Sequence, residues 1–167
     1  MAIRSLQYLH KDRIIQDVIL SSAATVIQLP GLNLMNGNTY RLQAGLQWSA
    51  SSDAKIEFNA AGNSTGLNVR VIAGYAGGPG SAESMAPGAG TISGGDANGI
   101  SFVSADLALV GGRVAMTGIT VRSYSTGHNW VWTLFSSSAL NSITSIQIRC
   151  GAANGFKSGS FLQVIKG

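Results

Sequence analysis

Charge is scarce in this chain. Only 11% of its 167 residues are Asp, Glu, Lys or Arg, where soluble domains carry roughly 25%. Ser, Thr, Asn, Gln and Gly must then cover most of the surface, which suits a surface partly buried against copies of itself or a larger assembly. The single cysteine, Cys150, excludes an intrachain disulfide. It ends the alternating run Ile146-Gln147-Ile148-Arg149-Cys150 and reads as a small buried hydrophobe, with no local motif to activate a thiol. The two histidines, His10 and His128, are too far apart for a metal-ligand spacing. No run approaches the ~18 apolar residues of a membrane helix, so no membrane partner is expected. Met1 to Gln16 carries charges throughout and lacks the apolar core of a signal peptide. Synthesis in a cytoplasm, without export by the usual route, is the expectation. Asn63-Ser64-Thr65 then reads as a turn and not as a glycosylation site.

The few charges do not assemble into chemistry. A glycosidase needs two converging carboxyl groups. Asp53 and Glu57 flank Ile56, with Glu57 alternating outward beside Lys55, which reads as a solvated strand face. Glu83 and Asp96 share a Gly-rich stretch that lacks the Gly-Lys-Ser/Thr ending of a phosphate-binding loop. No catalytic residue, metal or cofactor is expected, and the chain does not read as an enzyme. The formal charge is +4, but Arg41, Arg70, Arg113, Arg122 and Arg149 each stand alone in apolar or alternating segments. A nucleic-acid footprint would cluster them with exposed aromatics, so no nucleic acid is expected. The one concentration, His10-Lys11-Asp12-Arg13, contains its own acid; weak attraction to an acidic protein surface fits better.

What is present is alternation. Tyr40, Leu42, Ala44, Leu46 and Trp48 share one face of a nine-residue run, and Arg41, Gln43, Gly45 and Gln47 the other. Period two of this kind marks a strand with one face in a core and points to an antiparallel sheet. Nine further strands are expected: Arg13 to Leu20, Ala24 to Leu29, Ala54 to Asn59, Leu67 to Ala73, Ile100 to Val110, Arg113 to Arg122, Asn129 to Phe135, Ser142 to Cys150 and Ser160 to Lys166. Turn-formers separate them, including Pro30-Gly31, Asn36-Gly37-Asn38 and Asn154-Gly155. Gly111-Gly112 between two β-rich runs is a two-residue hairpin signal. About ten short strands at this spacing predict an all-β fold, an antiparallel jelly roll or β-sandwich, occupying residues 13–167 as one domain. Within it, residues 74–99 hold nine glycines, Pro79 and Pro87 and read as a long connection that is either a surface excursion or ordered against a neighbour. Residues 1–12 read as an arm, in which Ile3, Leu6 and Leu9 form one stripe of a short helix or an extended docking segment.

Two tryptophans on one strand face, Trp130 and Trp132, are expected in the core with Leu134, while Val131, Thr133 and Phe135 face the other way. Trp48 is expected in the core as well, and His128 in an exposed turn. Tyr75 and Tyr124, beside Gly-rich or polar turns, are the candidate exposed aromatic contacts.

Several segments resemble β-rich structural domains of tailed-bacteriophage virions. Asp17-Val18-Ile19-Leu20-Ser21-Ser22-Ala23-Ala24-Thr25-Val26-Ile27-Gln28-Leu29-Pro30-Gly31-Leu32-Asn33 resembles their opening strand and turn, and Asn38-Thr39-Tyr40-Arg41-Leu42 the tyrosine-bearing strand after it. Asn59-Ala60-Ala61-Gly62-Asn63-Ser64-Thr65-Gly66 is similar to their strand-then-turn signature, with two alanines where that motif is tighter. Phe156-Lys157-Ser158-Gly159-Ser160-Phe161-Leu162-Gln163-Val164-Ile165-Lys166 resembles their closing strand. The likeness covers both ends of the chain, about half its length, and leaves residues 74–99 unmatched. It implies a homotrimeric jelly roll on the virion, made in the host bacterial cytoplasm: a capsid decoration or head-fibre protein, or alternatively a receptor- or carbohydrate-binding tip of a tail fibre or spike. The expected partners are further copies of the chain, the major capsid protein or another virion protein and, for a tip, a host surface glycan. The residues expected to meet a partner are Ile3, Arg4, Leu6, Leu9, Lys11, Arg13, Tyr75 and Tyr124.

Overall fold

The computed structural model describes residues 13–59, 67–74, 81–84, 90–123, 129–136, 139–140 and 142–167, with 67–74 and 81–84 through their backbone alone. Twelve strands occur among them: β1 (Ile14–Ile19), β2 (Val26–Met35), β3 (Thr39–Gln47), β4 (Ser52–Phe58), β5 (Leu67–Gly74), β6 (Ser81–Ser84), β7 (Thr91–Gly95), β8 (Ile100–Val110), β9 (Arg113–Ser123), β10 (Asn129–Ser136), β11 (Ser142–Cys150) and β12 (Phe161–Lys166). They form two antiparallel sheets, an eight-stranded one in the order β1-β12-β3-β8-β9-β10-β5-β6 and a four-stranded one in the order β2-β11-β4-β7. The fold is an all-β antiparallel sandwich. Each of the ten expected strands is present.

The core is what period-two alternation dictates. Leu42, Ala44 and Leu46 of β3 face inward beside Val103, Ala105 and Leu107 of β8, and they meet Ile27, Ile56, Ile146 and Ile148 of the small sheet. Trp48, Trp132 and Cys150 are buried there. Trp130 is half-buried at the margin of the core. The β8–β9 hairpin closes at Gly111 and Gly112, both at positive φ (58° and 70°), with Val110 paired to Arg113. That is the two-residue turn whose twist matches the strands it joins.

Two readings need correction. Pro30-Gly31 is not a turn between elements but lies inside β2, where Gly31, Leu32 and Asn33 bulge opposite Thr144 of β11. β2 is an edge strand, so the missing N–H of Pro30 disrupts no ladder. The stretch 74–99 is not one unstructured connection, because it contains β6 and β7. Thr91, Ile92, Ser93 and Gly94 of β7 are all buried, so no alternation betrays the strand. β6 adds to β5, and β7 adds to β4.

The exposed edge of β7 is satisfied from the opposite sheet. Trp48 Nε1 donates to Ser101 Oγ (2.8 Å), whose hydroxyl donates to the Gly94 carbonyl (3.1 Å). Trp132 Nε1 donates to Thr120 Oγ1 (3.0 Å), whose hydroxyl donates to the Ile92 carbonyl (2.5 Å). Two indoles thus act through two hydroxyls of the large sheet to hold an edge strand of the small one. Edge strands otherwise offer a template for unwanted pairing.

Asn59 locks the end of β4 to the start of β11. It sits at φ 63°, a conformation Asn tolerates better than most residues. Its Nδ2 donates to the Ser142 carbonyl (2.7 Å) and its Oδ1 accepts from the Thr144 amide (2.7 Å). Asn59→Ala is expected to cost about 3 kcal/mol, two hydrogen bonds plus left-handed strain. Asn59→Gly keeps the conformation and should cost about half as much. Urea denaturation midpoints of the two variants measure the difference.

Candidate functional site

Outward positions of a sandwich are expected to be polar. On the small sheet they are: Asp53, Lys55 and Glu57 of β4 neighbour Gln147 and Arg149 of β11, with Gln28 of β2 across from Gln147. The large sheet differs. Register aligns Ile19, Phe161, Gly45, Phe102 and Val121 in one row across five strands. The next row runs Asp17, Gln163, Gln43, Ser104, Ile119 and Val131. Ile100, Val110 and Phe135 lie on the same face, since cross-strand partners share a side. Eight of the ten exposed large hydrophobics among the described residues are therefore on this one face.

Gly45 keeps the first row closely packed, because the Phe161 ring lies where its side chain would be. Between β1 and β10 the charges on the face are Asp17, Arg41, Asp106 and Arg113, which sum to zero, and Arg41 Nε pairs with Asp106 Oδ1 at 2.9 Å. The six strands are 6 to 11 residues long, and at ~4.8 Å spacing and ~3.3 Å per residue they give a face of roughly 800 Å², what one partner contributes to a standard stable interface.

Of the residues expected to meet a partner, Ile3, Arg4, Leu6, Leu9, Lys11, Tyr75 and Tyr124 lie outside the described residues, as do His10 and His128. Arg13 is exposed, and its carbonyl accepts from the Lys166 amide (2.8 Å) beside edge strand β1. The face itself was partly legible: alternation turns Val131 and Phe135 away from Trp132. That strands far apart in sequence align their outward Val, Ile and Phe is a matter of register, which sequence does not supply.

A second feature lies where β4 begins and β7 and β9 end. A cleft of about 470 Å³ is lined by Ser52, Asp53, Gly94, Gly95, Asp96, Arg122 and Gly151. The Arg122 guanidinium stacks on Trp130, 4.2 Å from the ring centroid, a cation–π contact that fixes its orientation. Asp96 Oδ1 accepts from Ser51 Oγ (3.2 Å). A Cβ on Gly94 would sit 3.1 Å from Asp53 Oδ1 and 3.2 Å from Arg122 Nη1, so its absence keeps the gap between carboxylate and guanidinium open.

Glu57 corrects a third reading. It shares a face with Lys55 as alternation requires, but it is only 3% exposed. Gln147 Nε2 donates to its Oε2, and Arg149 Nε lies 3.3 Å from both carboxylate oxygens. The strand partner, not the strand itself, decides that Glu57 leaves solvent. Glu57→Gln puts an amide N–H₂ among donors and removes the charge from a pair in which Arg149 keeps 36% of its side-chain exposure. With screening at the exposed end, the expected loss is about 2 kcal/mol, read as a lower thermal midpoint.

No family model matches the chain, and no curated protein does. Among solved structures it is similar to a toad ovary galectin in complex with thio-digalactose, at 11% identity and a TM-score of 0.33, over 85% of this chain and 99% of that one. At that TM-score the likeness bears on neither family nor ligand.

Proposed function

We propose that this chain is a non-enzymatic structural protein of a tailed-bacteriophage virion, a capsid decoration or head-fibre protein that bridges capsid subunits as a homotrimer. The observation that carries the assembly is the outer face of the eight-stranded sheet between β1 and β10, which gathers exposed Val, Ile and Phe and whose charges cancel. A sheet face that gathers eight exposed Val, Ile and Phe side chains marks an interaction site. Because its charges cancel within the face, a second copy meets it without repulsion, whereas a strongly charged partner gains nothing from it. Three copies with their large sheets around a common axis bury it. The phage setting rests on the likeness of both chain ends to phage β domains, with residues 1–12 as the contact to the major capsid protein.

Sedimentation velocity tests the assembly: a species near three times the 17.2 kDa chain mass is expected, and a monomer at working concentration would overturn it. Copy number in purified virions tests the setting. Hundreds of copies per particle support decoration, and a handful places the chain at a tail or vertex instead.

A further inference from the structure

We propose that the cleft between β4, β7 and β9 is a binding site for a neutral, hydroxyl-rich ligand, a saccharide, held by Asp53, Asp96 and Arg122. The inference goes beyond the assembly reading and does not depend on it.

The residues define the ligand by what they reject. The Arg122 guanidinium, with Nη1 at the gap over Gly94, opposes a metal cation beside Asp53. The carboxylates of Asp53 and Asp96 oppose phosphate or sulfate beside Arg122. A neutral ligand that carries donors and acceptors on adjacent atoms meets neither penalty. Carboxylates accept, and the terminal nitrogens of a guanidinium donate in a fixed plane. A pair of neighbouring sugar hydroxyls donates to the first and accepts from the second. Stacking on Trp130 at 4.2 Å sets the guanidinium plane before the ligand arrives, which lowers the ordering cost of binding.

The walls suit the same class. Gly94 and Gly151 line the cleft without side chains, so a ring can approach the backbone. The volume, about 470 Å³, lies within the range of small-molecule sites. The cleft is open and polar, which predicts weak binding by one copy. Several copies on one particle would act together through effective concentration.

The test is an ¹⁵N-labelled sample of the full chain titrated with glucose, galactose, mannose, N-acetylglucosamine and rhamnose, followed by amide shifts. At least one sugar is expected to shift the amides of Gly94, Gly95, Asp96 and Gly151 saturably, with a Kd of about 1 mM or weaker. Asp53→Asn, at an exposed side chain, should weaken that binding about tenfold. Gly94→Ala should weaken it at least as much by filling the gap, and the rest of its spectrum shows whether the fold is kept. The proposal is overturned if none of the five sugars moves these amides. It is equally overturned if both folded variants bind like the parent, or if calcium, phosphate or the zwitterion glycine saturates the cleft and the sugars do not. Sedimentation of the same samples reports the oligomer separately, so failure here and failure of the assembly reading are distinguishable.

Discussion

Val121→Glu is expected to convert the assembled protein to monomers at concentrations where the parent chain is a trimer. Val121 stands in the row Phe161, Gly45, Phe102, Val121 and is 47% exposed in the isolated chain. In the monomer a glutamate there reaches water, and surface substitutions of this kind change stability by about 0.5 kcal/mol, with a further fraction from lower β-propensity. In the proposed trimer the same carboxylate would be buried against a neighbouring copy with no partner. An unpaired buried charge costs several kcal/mol, so the association constant should fall by about a thousandfold or more per contact. Sedimentation velocity reads the change of mass, and near-ultraviolet circular dichroism reads whether the monomer keeps its packing. Retention of the parent's mass by a folded Val121→Glu chain would remove the outer face as the interface. Glu substituted for exposed Ile19, at the far end of the same row, should act in the same direction.

Thr120→Val is expected to produce the largest loss of stability from any near-isosteric change among the described residues. The side chains have nearly the same shape, so no cavity forms. What disappears is a buried hydroxyl that accepts from Trp132 Nε1 and donates to the Ile92 carbonyl. Both partners remain fully buried, Trp132 and Ile92 each at 0% exposure. A buried donor and a buried acceptor left without each other's relay cost about 1–3 kcal/mol apiece, so about 4 kcal/mol together. For a domain of this length each kcal/mol moves the melting point by about 2–4 °C, giving a fall of about 8–16 °C. Differential scanning calorimetry measures it. Thr120→Ser keeps the hydroxyl and should recover most of the loss, which separates the relay from the packing of the methyl group. A Val variant as stable as the parent would show that the indole and the β7 carbonyl find other partners.

The two predictions fail or succeed through different parts of the molecule. The outer face concerns side chains that the fold leaves in water; the Trp132–Thr120–Ile92 relay concerns how β7 is held across the core. A chain can therefore lose the proposed association and keep its melting transition, or soften and still associate.

Much of this was legible from the sequence, because alternation is a local property. Tyr40 to Trp48 declares its inward face without reference to any other strand, and Leu42, Ala44, Leu46 and Trp48 are fully buried as that face requires. Gly111-Gly112 announces its hairpin because glycine tolerates the positive φ that a two-residue turn of type I′ needs at both central residues. Scarce charge on the outward positions Arg41, Gln43, Gly45 and Gln47 was equally readable. What alternation cannot supply is register and cover. β7 was missed because its residues are buried on both sides, and Glu57 was read as solvated because Gln147 and Arg149 approach it from a strand ninety residues away. Thr120 falls on the inward side of its strand by simple counting, but its acceptor lies on the other sheet. Asp53, Asp96 and Arg122 look like isolated surface charges along the chain and share one cleft only after two sheets close. The sequence by itself thus determined ten of the twelve strands, most of the core and the low-charge surface. The tertiary structure alone decided which outward Val, Ile and Phe form one continuous face and which distant polar groups meet, since both depend on contacts between residues that the chain separates and only sheet pairing and sheet packing unite.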